Sequence, residues 1–518
     1  MESVKAQARE WPNTIVYEIF VRSFQDSNGD GHGDINGITG RLDYLRTLGV
    51  NAIWLTPIFP SPSYHGYDTT DYKAINPQFG SMSDFARLVS ESHRRGIRVV
   101  LDLALNHTSS DHPWFKTRVS DLFVWRPQNP NWPGNVWHGL NGLFYYGFFG
   151  PTLPDLNWNN ASIRNEMKSV LKFWIQQGVD GFRLDAVRYL IEGPQGQPDT
   201  RENHAVLADA VAEVRRAYPQ ILFIGEVWAD SPVIGPYVNQ RNEMDLCFNF
   251  PFSGGLLGSL INERASDFEN ALLSNQQFVS SQRFLSPFIT NHDMTRVSSL
   301  FQQNVDKLKL AAYLMLTASG TPVLYYGEEI GMTNGPSVSP TGGIFTAKPK
   351  MNPRNDMSKR TPMQWTTAMN HGFTGDGAKP WNLFSSNSSE LTVEMQMKQS
   401  GSLLMAYREL IQIRKTKLPA ALDRGQFIQS RDSSVSILLR SAEGRLFLSV
   451  ANFSRQARLV QFSFSKSAAN SARRAASGPI NYQALWGLTP FELHEQGNQI
   501  QVRIPSLAAF KALLIEIK

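Results

Sequence analysis

A single cysteine, Cys247, stands in 518 residues, so no internal disulfide framework holds this chain. In its apolar run that thiol reads as core. No Lys/Arg block of the kind that lines a nucleic-acid groove is present, and a net charge of +5 is modest for the length, so nucleic acid is not an expected partner. The opening residues, MESVKAQAREWP, contain no apolar signal core, and no apolar run makes a convincing membrane span. The longest candidate, 310–326, is broken by Gly320 and Pro322 and reads as a buried helix followed by a strand. As it stands the chain is expected in the cytoplasm, or secreted or periplasmic if a leader has been removed. Three chemical signatures are missing as well. No HExxH or clustered His/Cys set supports metal hydrolysis, no GxSxG elbow supports acyl transfer, and no Gly-rich phosphate loop follows the first strand. No organic cofactor is expected.

What is present is a rhythm of apolar strands and amphipathic helices. Strands are expected near Ile15, Val50, Gly96, Val179, Ile221, Glu243, Arg283 and Thr321, with helices between them. Eight such units predict an α/β fold, a (β/α)8 TIM barrel, whose chemistry sits at the C-terminal ends of the strands. The rhythm breaks once, after the third strand, in a Trp-, Pro-, Asn- and Gly-rich stretch too long for an ordinary loop. Beyond about Pro419, alternating runs such as SVSILLRS and RLVQFSFS predict a C-terminal antiparallel β domain. The expected domains are 1–107 (barrel, first part), 108–161 (inserted domain), 162–418 (barrel, second part) and 419–518 (β-sandwich).

Charged residues mark the strand ends. Within VDGFRLDAV, Arg183 and Asp185 are two apart and share one side of a buried strand. Such a pair is costly unless it is an ion pair or does chemistry. Glu226 ends another apolar strand and Asp293 a third. Carboxylates flanked by arginine and histidine fit glycoside hydrolysis. There one carboxylate attacks the anomeric carbon, a second donates a proton to the leaving oxygen, and a further charge stabilises the oxocarbenium-like transition state. After the first strand, DSNGDGHGD places Asp26, Asn28, Asp30 and Asp34 at near-alternate positions, with the His32 carbonyl completing the turn. That is how a calcium ion is wrapped, although Gly37 stands where the helix–loop–helix motif needs Glu, so the scaffold differs.

These residues carry a resemblance. DLALNH (102–107), GFRLDAV (181–187), GEVW (225–228) and TNHD (290–293) resemble, in order and spacing, the four strand-end motifs of the α-amylase family of retaining glycosidases, and LPDLN (153–157) resembles the fifth. The resemblance implies Asp185 as nucleophile, Glu226 as acid/base and Asp293 as transition-state stabiliser, with Arg183 holding the nucleophile ionised. It implies that His107 and His292 bind sugar hydroxyls, that Tyr67 is a stacking platform and that Asp68 is a hydroxyl ligand. Arg360, in KRTPMQW, looks like the arginine that meets that aspartate in oligosaccharide-acting members. A structural calcium at Asp26 is implied, and a second near Asn106 and Asp155, with Tyr189, Leu190 and Glu192 following the nucleophile strand much as in trehalose synthases. LPDLN resembles amylases intermediate between the oligo-1,6-glucosidase and neopullulanase branches, and Ala186 is what α-1,4-acting members tend to carry. The expected activity is hydrolysis of α-1,4-glucosidic bonds in maltooligosaccharides or starch-type glucans. A transglycosylase or isomerase on the same site, and a non-catalytic glucan-binding relative, are the alternatives.

Overall fold

The computed structural model describes residues 13–117, 120–240, 242–281, 283–336, 356–387, 391–419, 425–465 and 481–517. The chain divides into two compact units, one made of Val16–Phe248 with Ala368–Asn382, the other mainly of Asn249–Thr367 and Leu383–Lys518.

Among the described residues the first unit contains nine strands: β1 (Val16–Ile19), β2 (Ala52–Leu55), β3 (Arg98–Ala104), β4 (Trp125–Arg126), β5 (Trp137–Leu140), β6 (Leu143–Tyr146), β7 (Gly181–Asp185), β8 (Leu222–Gly225) and β9 (Leu246–Cys247). Six of them lie side by side in the order β1-β2-β3-β7-β8-β9, every pairing parallel. Sequences such as VYEI and AIWL are buried at every position, which is why these strands read as unbroken apolar runs rather than alternating ones. Helices join them. Met82–Arg94 begins with a capping box formed by Ser81 and Asp84 and buries Phe85, Leu88 and Val89. Ala161–Gln176 and Arg201–Ala217 start at Asn160 and Thr200, whose side chains accept from backbone N–H groups of the first turn. The interruption after β3 holds a small antiparallel sheet, β4-β6-β5, packed on its own aromatic core of Val136, Trp137 and Tyr146.

In the second unit the helix Val305–Thr317 leads to β10 (Val323–Tyr325). Among the described residues the strand expected over 283–293 is reduced to isolated bridge positions at Ser286 and Phe288, the latter parallel with Val323. Pro287 explains this, because it supplies no N–H to a ladder. The C-terminal strands are β11 (Gln426–Phe427), β12 (Val435–Ala442), β13 (Arg445–Asn452), β14 (Arg458–Ser465), β15 (Tyr482–Trp486), β16 (Glu492–Gln496), β17 (Gln499–Leu507) and β18 (Ala512–Ile517). They form two antiparallel sheets, β11-β12-β13-β18-β15 and β14-β17-β16, which share one core including Ile437, Leu448, Ile504 and Ile515. No helix among the described residues is long and apolar enough to cross a membrane.

Candidate active site

Parallel pairing of β3, β7 and β8 brings charged residues to one end of the first unit's sheet. In that register Asp102 faces Arg183, and Ala104 faces Asp185. Arg183 is 1 % exposed and is the hub. Its Nη1 donates to Asp102 Oδ1 at 2.8 Å and to Asp185 Oδ1 at 2.6 Å, while Nη2 lies 3.2 Å from Glu226 Oε2. Burial alone would lower the pKa of the guanidinium. The carboxylates of Asp102, Glu226 and Asp185, with Tyr67, more than reverse this and hold Arg183 charged.

Asp102 is the member of this cluster to which the sequence assigned no role. Its Oδ2 accepts from Tyr67 Oη at 2.9 Å and from Trp54 Nε1 at 3.1 Å, and burial pushes its carboxyl up to about 6 against the pull of Arg183. An acid inside the otherwise apolar VVLDLA was the available signal. Asp185 ends β7 and Glu226 follows β8. Between them Ala186 turns into the left-handed region (φ 52°), and its N–H donates to Glu226 Oε2 at 3.2 Å. That conformation disfavours β-branched side chains and suits alanine.

His107 is buried, its ring is held neutral because burial pushes its pKa down to about 3, and its Nε2 has no protein partner. A neutral ring nitrogen left unsatisfied in a buried position is fit to meet a ligand hydroxyl. Phe149, from the interrupting segment, packs on this ring at 5.2 Å and on Tyr189 at 5.5 Å, a contact no local sequence pattern announces. Asp68 is buried and its Oδ1 accepts from the hydroxyls of Ser61 and Ser63.

The second unit has a cluster of its own. Arg360 Nη2 donates to Asp293 Oδ1 at 2.8 Å, and its Nε donates to the His292 carbonyl at 3.1 Å. His292 Nε2 lies 3.2 Å from Asp293 Oδ2, and Lys359 Nζ donates to the Asp293 carbonyl at 2.7 Å. Arg360 and His292 are buried, whereas Asp293 is 28 % exposed. The carboxylate is therefore the part of the cluster offered outward.

Two places offer oxygens to a cation. In the loop after β1, Asp26 Oδ1 accepts from the N–H groups of Asn28 and Gly29, and Oδ2 from Gly31 N–H and the Thr374 hydroxyl. Asn28 Oδ1 accepts from Asp30 N–H and Asp30 Oδ1 from His32 N–H, while Asp34 accepts from Ser27 and caps the helix Ile35–Gly40. The alternating residues thus curl into nested turns with their oxygens gathered. Burial raises the Asp34 carboxyl and the charge of Asp26 raises it further, a repulsion that a divalent cation would relieve, so these residues fit one. At the other place Asn106 Nδ2 donates to Asp155 Oδ2 at 3.1 Å, while Asn106 Oδ1 and Glu192 Oε1 are buried acceptors without a donor. Burial raises both Asp155 and Glu192. Leu190 is buried beside this site's chain segment and Tyr189 stacks on Phe148 at 4.2 Å. Among the described residues no three His, Cys, Asp or Glu side chains converge as a metal cage, so a cation at either place would rest partly on amide and backbone oxygens.

Two buried histidines give the first unit an acid sensitivity. Burial pushes His107 down to about 3 and His112 to about 4. The unfolded chain takes up these protons near pH 6.5, and the folded chain does not until the lower values. The stabilisation is therefore complete above about pH 6.5 and is lost as pH falls towards 3–4, by up to ~1.4 kcal/mol per histidine per pH unit. His112→Asn keeps a capping acceptor for Trp114 N–H and is expected to flatten the decline in melting temperature between pH 7 and pH 4. An unchanged slope would count against this account.

Comparison with known proteins finds relatives over most of the chain. The family model described as alpha amylase, catalytic domain, matches residues 18–425. Alpha-amylase 3 of Dictyoglomus thermophilum is 34 % identical over 461 residues, covering 86 % of this chain and 85 % of the relative. The oligo-1,6-glucosidase of Parageobacillus thermoglucosidasius is 33 % identical over 510 residues, covering 86 % and 90 %. A crystal structure of an alpha-amylase from H. orenii superposes with a TM-score of 0.80 at 32 % identity, covering 97 % of this chain and 99 % of that one.

Proposed function

This chain belongs to the α-amylase family of glycoside hydrolases and has its (β/α)8 barrel fold, and from that premise we propose that it hydrolyses α-1,4-glucosidic bonds in maltooligosaccharides and starch-type glucans with retention of configuration. Asp185 is the nucleophile, Glu226 the proton donor and then the base, and Asp293 the third carboxylate, held by Arg360. The observation that carries this reading is Arg183, in contact with both Asp185 and Glu226 at 2.6 and 3.2 Å. A buried guanidinium favours the ionised form of Asp185 at the pH where sugars are cleaved, which a nucleophile requires. Glu226 Oε2 is held by the Arg183 guanidinium and the Ala186 N–H, which fixes the carboxyl that gives a proton to the leaving oxygen and later takes one from water. His107 and His292 bind hydroxyls of the bound glucosyl unit, and Tyr67 carries its apolar face. Ala186 after the nucleophile favours α-1,4 over α-1,6 linkages.

The test is incubation with maltotriose, isomaltotriose and maltose, with products separated by chromatography and their first-formed anomer read by NMR. Glucose and maltose released from maltotriose, with the newly formed reducing end appearing first as the α-anomer, support the proposal. Preferential cleavage of isomaltotriose would move the specificity to α-1,6 bonds, and trehalose from maltose would make the enzyme an isomerase.

The loop Asp26–Asp34 would hold a structural calcium ion through Asp26, Asn28, Asp30, the His32 carbonyl and Asp34. A second ion, at Asn106, Asp155 and Glu192 with backbone oxygens near Tyr189 and Leu190, would satisfy the two buried acceptors there. A cation bound only by the folded chain stabilises it by about 2.7 kcal/mol at a hundredfold excess over Kd. Exhaustive chelation is expected to lower the melting temperature by several degrees, and added calcium to restore it. An unchanged melting temperature after verified removal of metal would remove the proposal.

A further inference from the structure

The turn that follows the nucleophile reaches across to the segment that carries Glu226, and it does so twice. Ala186 N–H donates to Glu226 Oε2 at 3.2 Å, and Arg188 Nη1 donates to the Trp228 carbonyl at 2.6 Å. Glu226 is thereby tied at its carboxylate and at the backbone just beyond it. The remaining edge of the Arg188 guanidinium is taken by Asp199. Nε donates to Asp199 Oδ1 at 3.0 Å and Nη2 to Asp199 Oδ2 at 2.6 Å, the two-pronged grip that a planar fork makes on a carboxylate. Asp199 N–H returns a bond to the Arg188 carbonyl at 3.1 Å.

This clamp is itself braced by two helices. Tyr237, buried in the helix Ser231–Asn239, donates from Oη to Asp199 Oδ1 at 2.8 Å. Asn203, buried in the first turn of Arg201–Ala217, holds the turn from its other side. Its Oδ1 accepts from the N–H groups of Leu190 and Ile191 at 2.8 and 3.3 Å, and its Nδ2 donates to the Val187 carbonyl at 2.9 Å. The cap residue Thr200 donates its hydroxyl to the Ile191 carbonyl at 2.6 Å. A structural ion pair would be complete with Asp199 alone. What sets Arg188 apart is its third donor, which goes to the acid/base segment rather than to its own turn. The sheet shows why a tie is needed there: β8 ends at Gly225, so the chain from Glu226 to Trp228 lies beyond the strand.

We propose that Arg188, clamped by Asp199, is a positioning residue that sets Glu226 against the glycosidic oxygen. The inference rests on the retaining-hydrolase reading and deepens it. In the first step Asp185 attacks the anomeric carbon, the bond to the leaving oxygen breaks, and Glu226 hands that oxygen its proton. Retention needs the two carboxyls about 5–5.5 Å apart, and a displacement of about 1 Å can cost roughly 10²-fold in rate. Arg183 fixes Asp185 within its own strand, at 2.6 Å. Arg188 does the corresponding work for the segment beyond Glu226, and Asp199 keeps its guanidinium in place.

The test compares kcat/KM on maltotriose with kcat/KM on α-glucosyl fluoride, with calcium in excess so that a weakened cation near Tyr189 does not intrude. Fluoride departs with little help from an acid, whereas a sugar oxygen needs the proton. Arg188→Met is expected to lower kcat/KM about 10²-fold on maltotriose and less than about fivefold on the fluoride. KM for maltotriose should stay within about threefold of wild type, the loss falling on kcat. Arg188→Lys, able to reach one of the two partners but not both, should recover part of the loss. Asp199→Asn should show the same preference for the fluoride, and adding it to Arg188→Met should lower the rate little further. An unchanged rate on maltotriose, or an equal fall on both substrates such as a merely structural residue gives, overturns the proposal. Should Arg188→Met melt early, Arg188→Lys carries the comparison. A wild type that leaves maltotriose intact overturns the hydrolytic reading and this inference with it. An active wild type whose variants fall equally on both substrates overturns this inference alone.

Discussion

Asp185→Asn is expected to lower kcat on maltooligosaccharides by about 10⁴- to 10⁶-fold, the range seen when a nucleophile is removed from a machinery that acts as a unit. An amide cannot form the covalent glucosyl intermediate, and the rest of the site has no second carboxylate placed to replace it on the same strand end. The fold is expected to survive. Arg183 keeps Asp102 at 2.8 Å and Glu226 at 3.2 Å, so the guanidinium does not lose its counter-charge. Three carboxylates around one arginine repel one another, and removing one relieves part of that repulsion. The melting temperature should therefore be equal to or above that of wild type. A variant that retained a tenth of wild-type turnover on an unactivated glucan would sink the assignment of Asp185.

Arg183→Met is expected to do the opposite to stability while also abolishing activity. Methionine fills much of the volume but leaves Asp102, Asp185 and Glu226 facing one another around a neutral side chain. Breaking a buried pair by removing one partner costs about 3–5 kcal/mol, because the remaining charge is uncompensated. Here several carboxylates lose the same partner. The deficit should shrink as pH is lowered from 7 towards 5, as these carboxyls take up protons that the wild type's guanidinium disfavours. Denaturant melts of wild type and variant at pH 7 and pH 5 provide the measurement. Equal midpoints at pH 7 would show that Arg183 is not the electrostatic keystone of the cluster.

The sequence carried the strand ends well, because charge inside an apolar run is costly and therefore conspicuous. Arg183 and Asp185 share a side by simple alternation, and the structure joins them at 2.6 Å. The capping box at Ser81 and the C-terminal strands β12, β13, β14, β17 and β18 were legible for the same reason, being local patterns. What was not legible depends on register and on distance along the chain. Asp102 meets Arg183 only because β3 and β7 pair with those two residues opposite. The guanidinium of Arg360 is found on Asp293, a partner that no spacing within KRTPMQW indicates. Around Pro287 the expected strand shrank to isolated bridge positions, a case where backbone chemistry overrode an apolar run.

The segment Ala368–Asn382, which completes the first unit, also has a meaning in time. The first unit is assembled from Val16–Phe248 and from Ala368–Asn382, so a ribosome releases most of it before its last piece exists. At about 5–20 residues per second, the stretch from Asn249 to Asn382 takes on the order of 10 s to emerge. During that interval Asp26 lacks the Thr374 hydroxyl, the Gly31 carbonyl lacks the Trp381 N–H, and Phe20 lacks the Trp381 ring that stacks on it. Closing so long a loop is the slow, non-local kind of step that governs folding rates. A nascent chain arrested before residue 368 should therefore be cut by protease in the Asp26–Asp34 loop, and one arrested well after residue 382 should resist.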